Sequence, residues 1–173
     1  LIARLGAVFA QVPVLVVTDS WFGNNGLFRP LRARLGERAQ LLSRLRVNAA
    51  LYASPVALPG KVGRPRKYGQ RLGSAATLAA AMRAQAQTYT LHVYGRLREV
   101  VAAERVVMLK TLRCPVRVVW VYRKTQWVAL MSTDLGLTVE QIIEYYSARW
   151  KIEAGFREIK QEIENGRFRE DLY

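Results

Sequence analysis

The first strongly patterned stretch of the chain is Val12–Val17, VPVLVV, which stops at Thr18-Asp19-Ser20. A short run that is apolar on both faces and rich in β-branched residues predicts the central strand of a sheet covered by helices. Gly23, Asn24, Asn25 and Gly26 make a loop, and a helix follows through about Arg38, with Pro30 tolerable only in its first turn. Leu41–Val47 alternates loosely and predicts a second strand. Pro55, Pro59, Gly60, Gly63, Pro65 and Gly69 then break the chain into a long loop. Ala75–Gln87 is Ala-rich and predicts a short helix. Thr88–Val93 alternates as a strand, Val100–Leu112 adds another, and Val116–Tyr122 and Trp127–Met131 form two more, joined by a hairpin at Lys124-Thr125-Gln126. The strands end at Ser132-Thr133-Asp134. Thr138 and Gln141 match a capping box, so a long helix should begin near Val139. Its one glycine, Gly155, costs about 1 kcal/mol relative to Ala, which a long helix tolerates. Asn165-Gly166 should stop it, leaving a tail without periodicity.

The polar pattern of that last helix is unusual. At 100° per residue, Tyr146, Arg149, Glu153, Arg157 and Lys160 fall within roughly 80° of each other, a stripe that a core-facing helix would fill with apolar side chains. A carboxylate among cations suits a surface where a metal ion meets phosphates. A solvated face with ordinary pairs, such as Arg149 with Glu153, explains the same spacing. Asp19 is similarly two-sided. It stands at the carboxyl end of the predicted central strand, where open α/β sheets place their ligands, yet an acid there also serves as a turn or helix cap.

Composition narrows the partner. The 173 residues suffice for one domain with a core, and 51% apolar content makes it globular. Lys and Arg total 27 against 13 Asp and Glu, a net charge of +14 that points to a polyanion. No apolar run reaches transmembrane length and no lipidation signal is visible, so a membrane is not the expected partner. One Cys (Cys114) and one His (His92) exclude an internal disulfide and a Cys/His zinc site, and fit a reducing cytoplasm. A hard cation held by carboxylates remains open. The first residue is Leu1, not Met, and the chain reads as a piece of something longer.

Within the long loop, Lys61-Val62-Gly63-Arg64-Pro65-Arg66-Lys67 resembles an AT-hook, an extended arm whose arginines enter a narrow minor groove. General phosphate contact, or a merely solvated basic loop, accounts for the same composition. Asp19 ending a central strand and Glu153 on a late helix, with β structure between them, is a layout for two carboxylates of a divalent-metal phosphoryl-transfer site.

Tyr146-x2-Arg149-x3-Glu153-x6-Lys160 matches, at every spacing, the tyrosine–arginine–glutamate–lysine signature of one group of bacterial insertion-sequence transposases, and VVTDSWFGN around Asp19 resembles their second-Asp region. The likeness covers about residues 8–162. It implies a DDE transposase of α/β, RNase H-like fold with a β-rich insertion between the second Asp and the Glu-bearing helix. Residues 1–47 would be a partial core, 48–133 the basic loop and insertion, 134–164 the catalytic helix and 165–173 a tail. By the same resemblance, Asp19 and Glu153 bind Mg²⁺ or Mn²⁺, while Tyr146, Arg149 and Lys160 hold the transposon-end backbone. Arg64, Arg66 and Lys67 add DNA contacts. In some relatives a Trp of the inserted sheet stacks a flipped base, for which Trp127 is the candidate by position and Trp120 second, although a strand Trp is more often a core residue; Trp21 and Trp150 are expected to pack around the site. The expected activity is metal-dependent DNA cleavage and strand transfer in the bacterial cytoplasm, at the nucleoid, with the protein dimerising in a synaptic complex. The family's first Asp has no counterpart, since residues 1–18 contain no Asp or Glu. The chain alone is therefore expected to be an inactive fragment; the alternative is a DNA-binding remnant without chemistry. Another RNase H-like nuclease is a weaker third reading.

Overall fold

A computed structural model describes residues 11–56, 66–93 and 95–149, together with 2, 4, 8 and 9. The described chain forms one mixed sheet of eight strands with three α-helices. In chain order these are β1 (Val14–Thr18), α1 (Asn25–Leu35), β2 (Ala39–Arg44), β3 (Ala50–Tyr52), β4 (Arg71–Ser74), α2 (Ala75–Met82), β5 (Gln87–Val93), β6 (Arg96–Leu109), β7 (Cys114–Tyr122), β8 (Trp127–Ser132) and α3, residues 139–149. The spatial order is β1-β2-β8-β7-β6-β3-β4, and β5 pairs with the first half of β6.

Only β1 and β2 run parallel, from Val14 opposite Ala39 to Thr18 opposite Ser43. Parallel neighbours need a crossover, which α1 supplies. The other pairings are all antiparallel. The fourteen residues of β6 allow it to bond β7 along one edge and both β5 and β3 along the other.

Apolar residues on both faces of the strands require cover on both faces. On one, Phe28, Leu31 and Leu35 of α1 and Leu78 and Met82 of α2 pack with Leu41, Val118, Trp120 and Met131. On the other, Val139, Ile142, Ile143 and Tyr146 of α3 pack with Leu42, Leu91, Val119 and Leu130. Adjacent Leu41 and Leu42 thus serve opposite cores, as the strand period of two demands. Each such side chain contributes roughly 1.5–3 kcal/mol by leaving water.

The helix starts follow from local hydrogen bonding. Asn24 Oδ1 accepts from Gly26 N at 2.7 Å, so α1 begins early and Pro30 lies in its second turn, not its first. The cap outweighs the proline because the carbonyl that Pro30 leaves without a helix donor belongs to exposed Gly26, where water serves instead. At α3 the expected capping box forms in both directions: Thr138 N donates to Gln141 Oε1 at 3.0 Å and Gln141 N to Thr138 Oγ1 at 3.2 Å. The turn before it is anchored by Thr133, whose hydroxyl accepts from Leu41 N at 2.8 Å, and by Arg117, which donates to Leu135 O at 2.9 Å. Glu144 then accepts from His92 N at 2.9 Å and ties α3 to β5.

Several expected boundaries move. Val12–Val17 becomes Val14–Thr18, the helix expected over Ala75–Gln87 ends at Met82, and the strand expected over Val100–Leu112 becomes Arg96–Leu109. The second strand ends at Arg44 rather than Val47, because Ala49 N bonds back to Arg46 O and the chain turns. The remainder of the long helix, with Trp150, Glu153, Gly155, Arg157, Lys160 and its stop at Asn165-Gly166, lies outside the described residues, as does Arg64 with most of the basic arm.

Candidate functional site

Because β1 and β2 are parallel and in register, the positions after Thr18 and Ser43 stand at the same level. These are Asp19, just past β1, and Arg44, the last residue of β2 and paired with Leu130 of β8, an acid and a cation at the carboxyl ends of two strands. The chain around Asp19 is fixed on both sides. Its Oδ1 accepts from Trp21 N at 2.9 Å and more weakly from Phe22 N at 3.4 Å, so Asp19 does cap its own turn. Its backbone carbonyl accepts from the fully buried Ser43 hydroxyl at 2.6 Å. Asn24 Nδ2 donates to Trp21 O at 2.8 Å and closes the loop. The turn lies so close to β2 that a Cβ on Gly23 would stand 2.3 Å from Ser43 Oγ.

α3 brings a third group. Tyr146 is 8% exposed and sits in the core under this helix, with the Arg149 guanidinium 5.4 Å from its ring centre. Burial pushes the Tyr146 hydroxyl above its ordinary range. The Arg149 cation, a hydrogen bond from Arg149 and the Arg44 cation pull it down, and the Asp19 carboxylate pushes it up. Arg149 thus lies against the Tyr146 ring, and the charges of Arg44 and Asp19 reach the same phenol through space. A phenol is protonated at neutral pH in any case, so Tyr146 is a hydrogen-bond donor there, and the upward shift only extends that range to higher pH.

Among the residues picked from the sequence, Arg149 lies over Tyr146, and the Asp19 carboxylate acts on that phenol through space. Glu153 and Lys160 lie outside the described residues. Arg66 and Lys67 are exposed at the foot of the long loop. The stem of that loop is held by Gly69 N to Ala53 O at 2.9 Å, Ala53 N to Gln70 O at 2.8 Å and the Tyr52–Tyr68 ring contact. Trp127 is half-buried against the core of α1 and α2, on the sheet face opposite α3.

One tryptophan takes its core alternative and another departs from expectation. Trp120 is wholly buried and donates its indole N–H to Ala75 O at 3.0 Å, so it is a core residue and not a base-stacking one. Trp21, expected to pack around the site, is 71% exposed, because the Asp19 turn aims it outward. Arg44 escaped the sequence reading altogether. Its signal was the alternation Ser43-Arg44-Leu45-Arg46 at the end of β2, where buried and exposed positions interchange.

Asp19 offers the hard oxygen donor that Mg²⁺ or Mn²⁺ prefers. Among the described residues no three His, Cys, Asp or Glu side chains gather, so any fuller ligand set draws on residues beyond them. Among the described residues no helix is long and apolar enough to cross a membrane. A search of curated proteins found no match to the sequence. A family model described as a transposase DDE domain matches residues 1–169, nearly the whole chain. This chain belongs to the DDE transposases.

Proposed function

We propose that the chain is an RNase H-like DNA-handling domain, with residues 1–47 and 134–164 as its core and 48–133 as a β-rich insertion. The arrangement of strands supports that division, since the one parallel pair, β1–β2, precedes an antiparallel ladder. The observation that carries the functional reading is the pairing of Asp19 and Arg44 at the carboxyl ends of the parallel strands, with both charges reaching Tyr146, over whose ring Arg149 lies.

Arg149 and Arg44 would bind phosphate oxygens, the planar guanidinium fork matching two of them at once. Tyr146, protonated at neutral pH, would donate to a third. Together they would orient the DNA backbone over Asp19. A divalent cation held by Asp19 and Glu153 would stabilise charge on the phosphate during cleavage and strand transfer. Lys160, Arg64, Arg66, Lys67 and Trp127 extend the proposed DNA contacts, and a pair of subunits would hold two transposon ends. A second reading is DNA binding without chemistry, in which the same cations hold the backbone and no cleavage follows.

Titrating a labelled duplex with the chain at several salt concentrations tests the binding. Affinity should fall steeply with salt, and Arg149→Ala should reduce the slope of log K against log salt by about one unit. Flat salt dependence would remove the proposal. Incubating the same duplex with Mg²⁺ or Mn²⁺ tests the chemistry. Cutting that disappears in Glu153→Gln would establish an active enzyme and sink the second reading.

A further inference from the structure

The turn after Asp19 presents two large aromatic side chains to solvent, Trp21 at 71% and Phe22 at 56% exposure. It does so with a rigid backbone. Asp19 Oδ1 holds both of their N–H groups, Asn24 holds the Trp21 carbonyl, and Gly23 packs against Ser43. The Arg46 guanidinium lies 5.5 Å from the Trp21 ring centre. Arg44 and Arg46 are both exposed with buried Leu45 between them. Arg44 stands level with Asp19 at the end of the parallel pair, and Arg46 lies over Trp21.

Two alternating residues span about 7 Å, close to the spacing of adjacent nucleotides in an extended strand. The pattern is therefore a phosphate-binding cation next to the acid, followed one step along by an aromatic face with its own cation. A fixed, solvent-facing indole in a chain of net charge +14 suits a flat apolar partner joined to a polyanion, which is a nucleobase. A base inside a duplex has both faces covered by its neighbours, so only an unpaired or terminal base offers a free face.

We propose that Trp21, with Arg46 behind it and Phe22 beside it, is a stacking subsite for an unpaired base next to the phosphate held at Asp19. This assignment rests on the DNA-handling reading above. Trp21 is here a positioning residue: it would fix where along the strand the backbone meets Asp19, and bias the site toward frayed or single-stranded ends.

The test uses the full 173-residue chain and two fluorescent probes, a blunt duplex and the same duplex with a short unpaired tail carrying 2-aminopurine. The wild type should bind the tailed probe more tightly and change its 2-aminopurine emission. Trp21→Ala should lose that preference, an effect of about tenfold, while blunt-duplex affinity and its salt slope stay unchanged. Trp21→Phe should retain most of the preference, and Arg46→Ala should weaken it. Because Trp21 is exposed, thermal melts of these variants should match the wild type, and a shared loss of fold would show at once. Equal binding of both probes by the wild type overturns the subsite and leaves the DNA-handling reading standing. So does a preference that persists in Trp21→Ala. If sedimentation shows that Trp21→Ala dissolves a dimer while keeping the preference, the aromatic pair contacts a second copy and the subsite is wrong. No binding of either probe removes both proposals.

Discussion

Asp19 shows how one residue serves two ends. Its Oδ1 fixes the turn through Trp21 N, and the carboxylate still acts on Tyr146 across the site. That turn depends on Gly23 for space. In Gly23→Ala the new methyl meets Ser43 Oγ at 2.3 Å and Ser43 Cβ at 2.9 Å, so either the loop or the Ser43 side chain must move. Overpacking of this kind costs about 1–3 kcal/mol. A urea titration should show that loss, and Gly23→Ala/Ser43→Ala should recover part of it, since removing the hydroxyl relieves the closest contact. Full additivity of the two single changes would mean that they do not meet.

At the scale of elements, the chain's regular parts were legible from pattern alone. Thr138 and Gln141 announced α3, and the apolar, β-branched stretch Val116–Tyr122 announced β7, because capping and strand-forming runs are local physics. Pro30 misled, since a local rule about prolines ignored the stronger cap at Asn24. The roles of the tryptophans were not legible, because whether an indole faces a core or solvent depends on what packs across the sheet. Trp120 and Tyr122 show this. They lie two residues apart on β7 and donate to Ala75 O and Ala79 O, one turn apart on α2, at 3.0 and 2.7 Å. The two bonds pin that helix to the sheet. Tyr122→Phe should therefore cost about 1 kcal/mol. Burial also raises the Tyr122 hydroxyl above its ordinary 10.0, against a smaller lowering by Arg83, and burial likewise raises Tyr89 and Tyr146. The unfolded phenols ionise first, so this contribution is intact below pH 10 and is lost as pH rises through the folded values. Thermal melts across that range should fall with pH, and the fall should be shallower in Tyr122→Phe.

For the whole molecule, the site was half legible. Tyr146, Arg149 and Asp19 carried recognisable spacing, whereas Arg44 joined them only through the parallel pairing of strands separated by a helix. The same sheet leaves a boundary exposed. Among the described residues β1 pairs on one side alone, and Val8, Phe9 and Val12 just before it are exposed by 76%, 58% and 51%. An open apolar edge invites pairing with another chain. Light scattering of the purified chain should rise with concentration, and Val12→Lys should suppress that rise with little change in melting temperature. Scattering that is independent of concentration in the wild type would show that this edge is already protected.

The in-register exit of β1 and β2 has a consequence for how such a protein tolerates change in its own gene. The connection between the strands, residues 20–38, could gain or lose a residue at its surface and still deliver Asp19 and Arg44 to one level, because the ladder from Val14–Ala39 to Thr18–Ser43 sets that level. Losing a single residue inside β2 is different in kind. It exchanges the exposed Arg44 for the buried Leu45, presenting an oily side chain to solvent beside Asp19 and driving a guanidinium into the core. In the loop such a deletion changes a length; in the strand it changes sides.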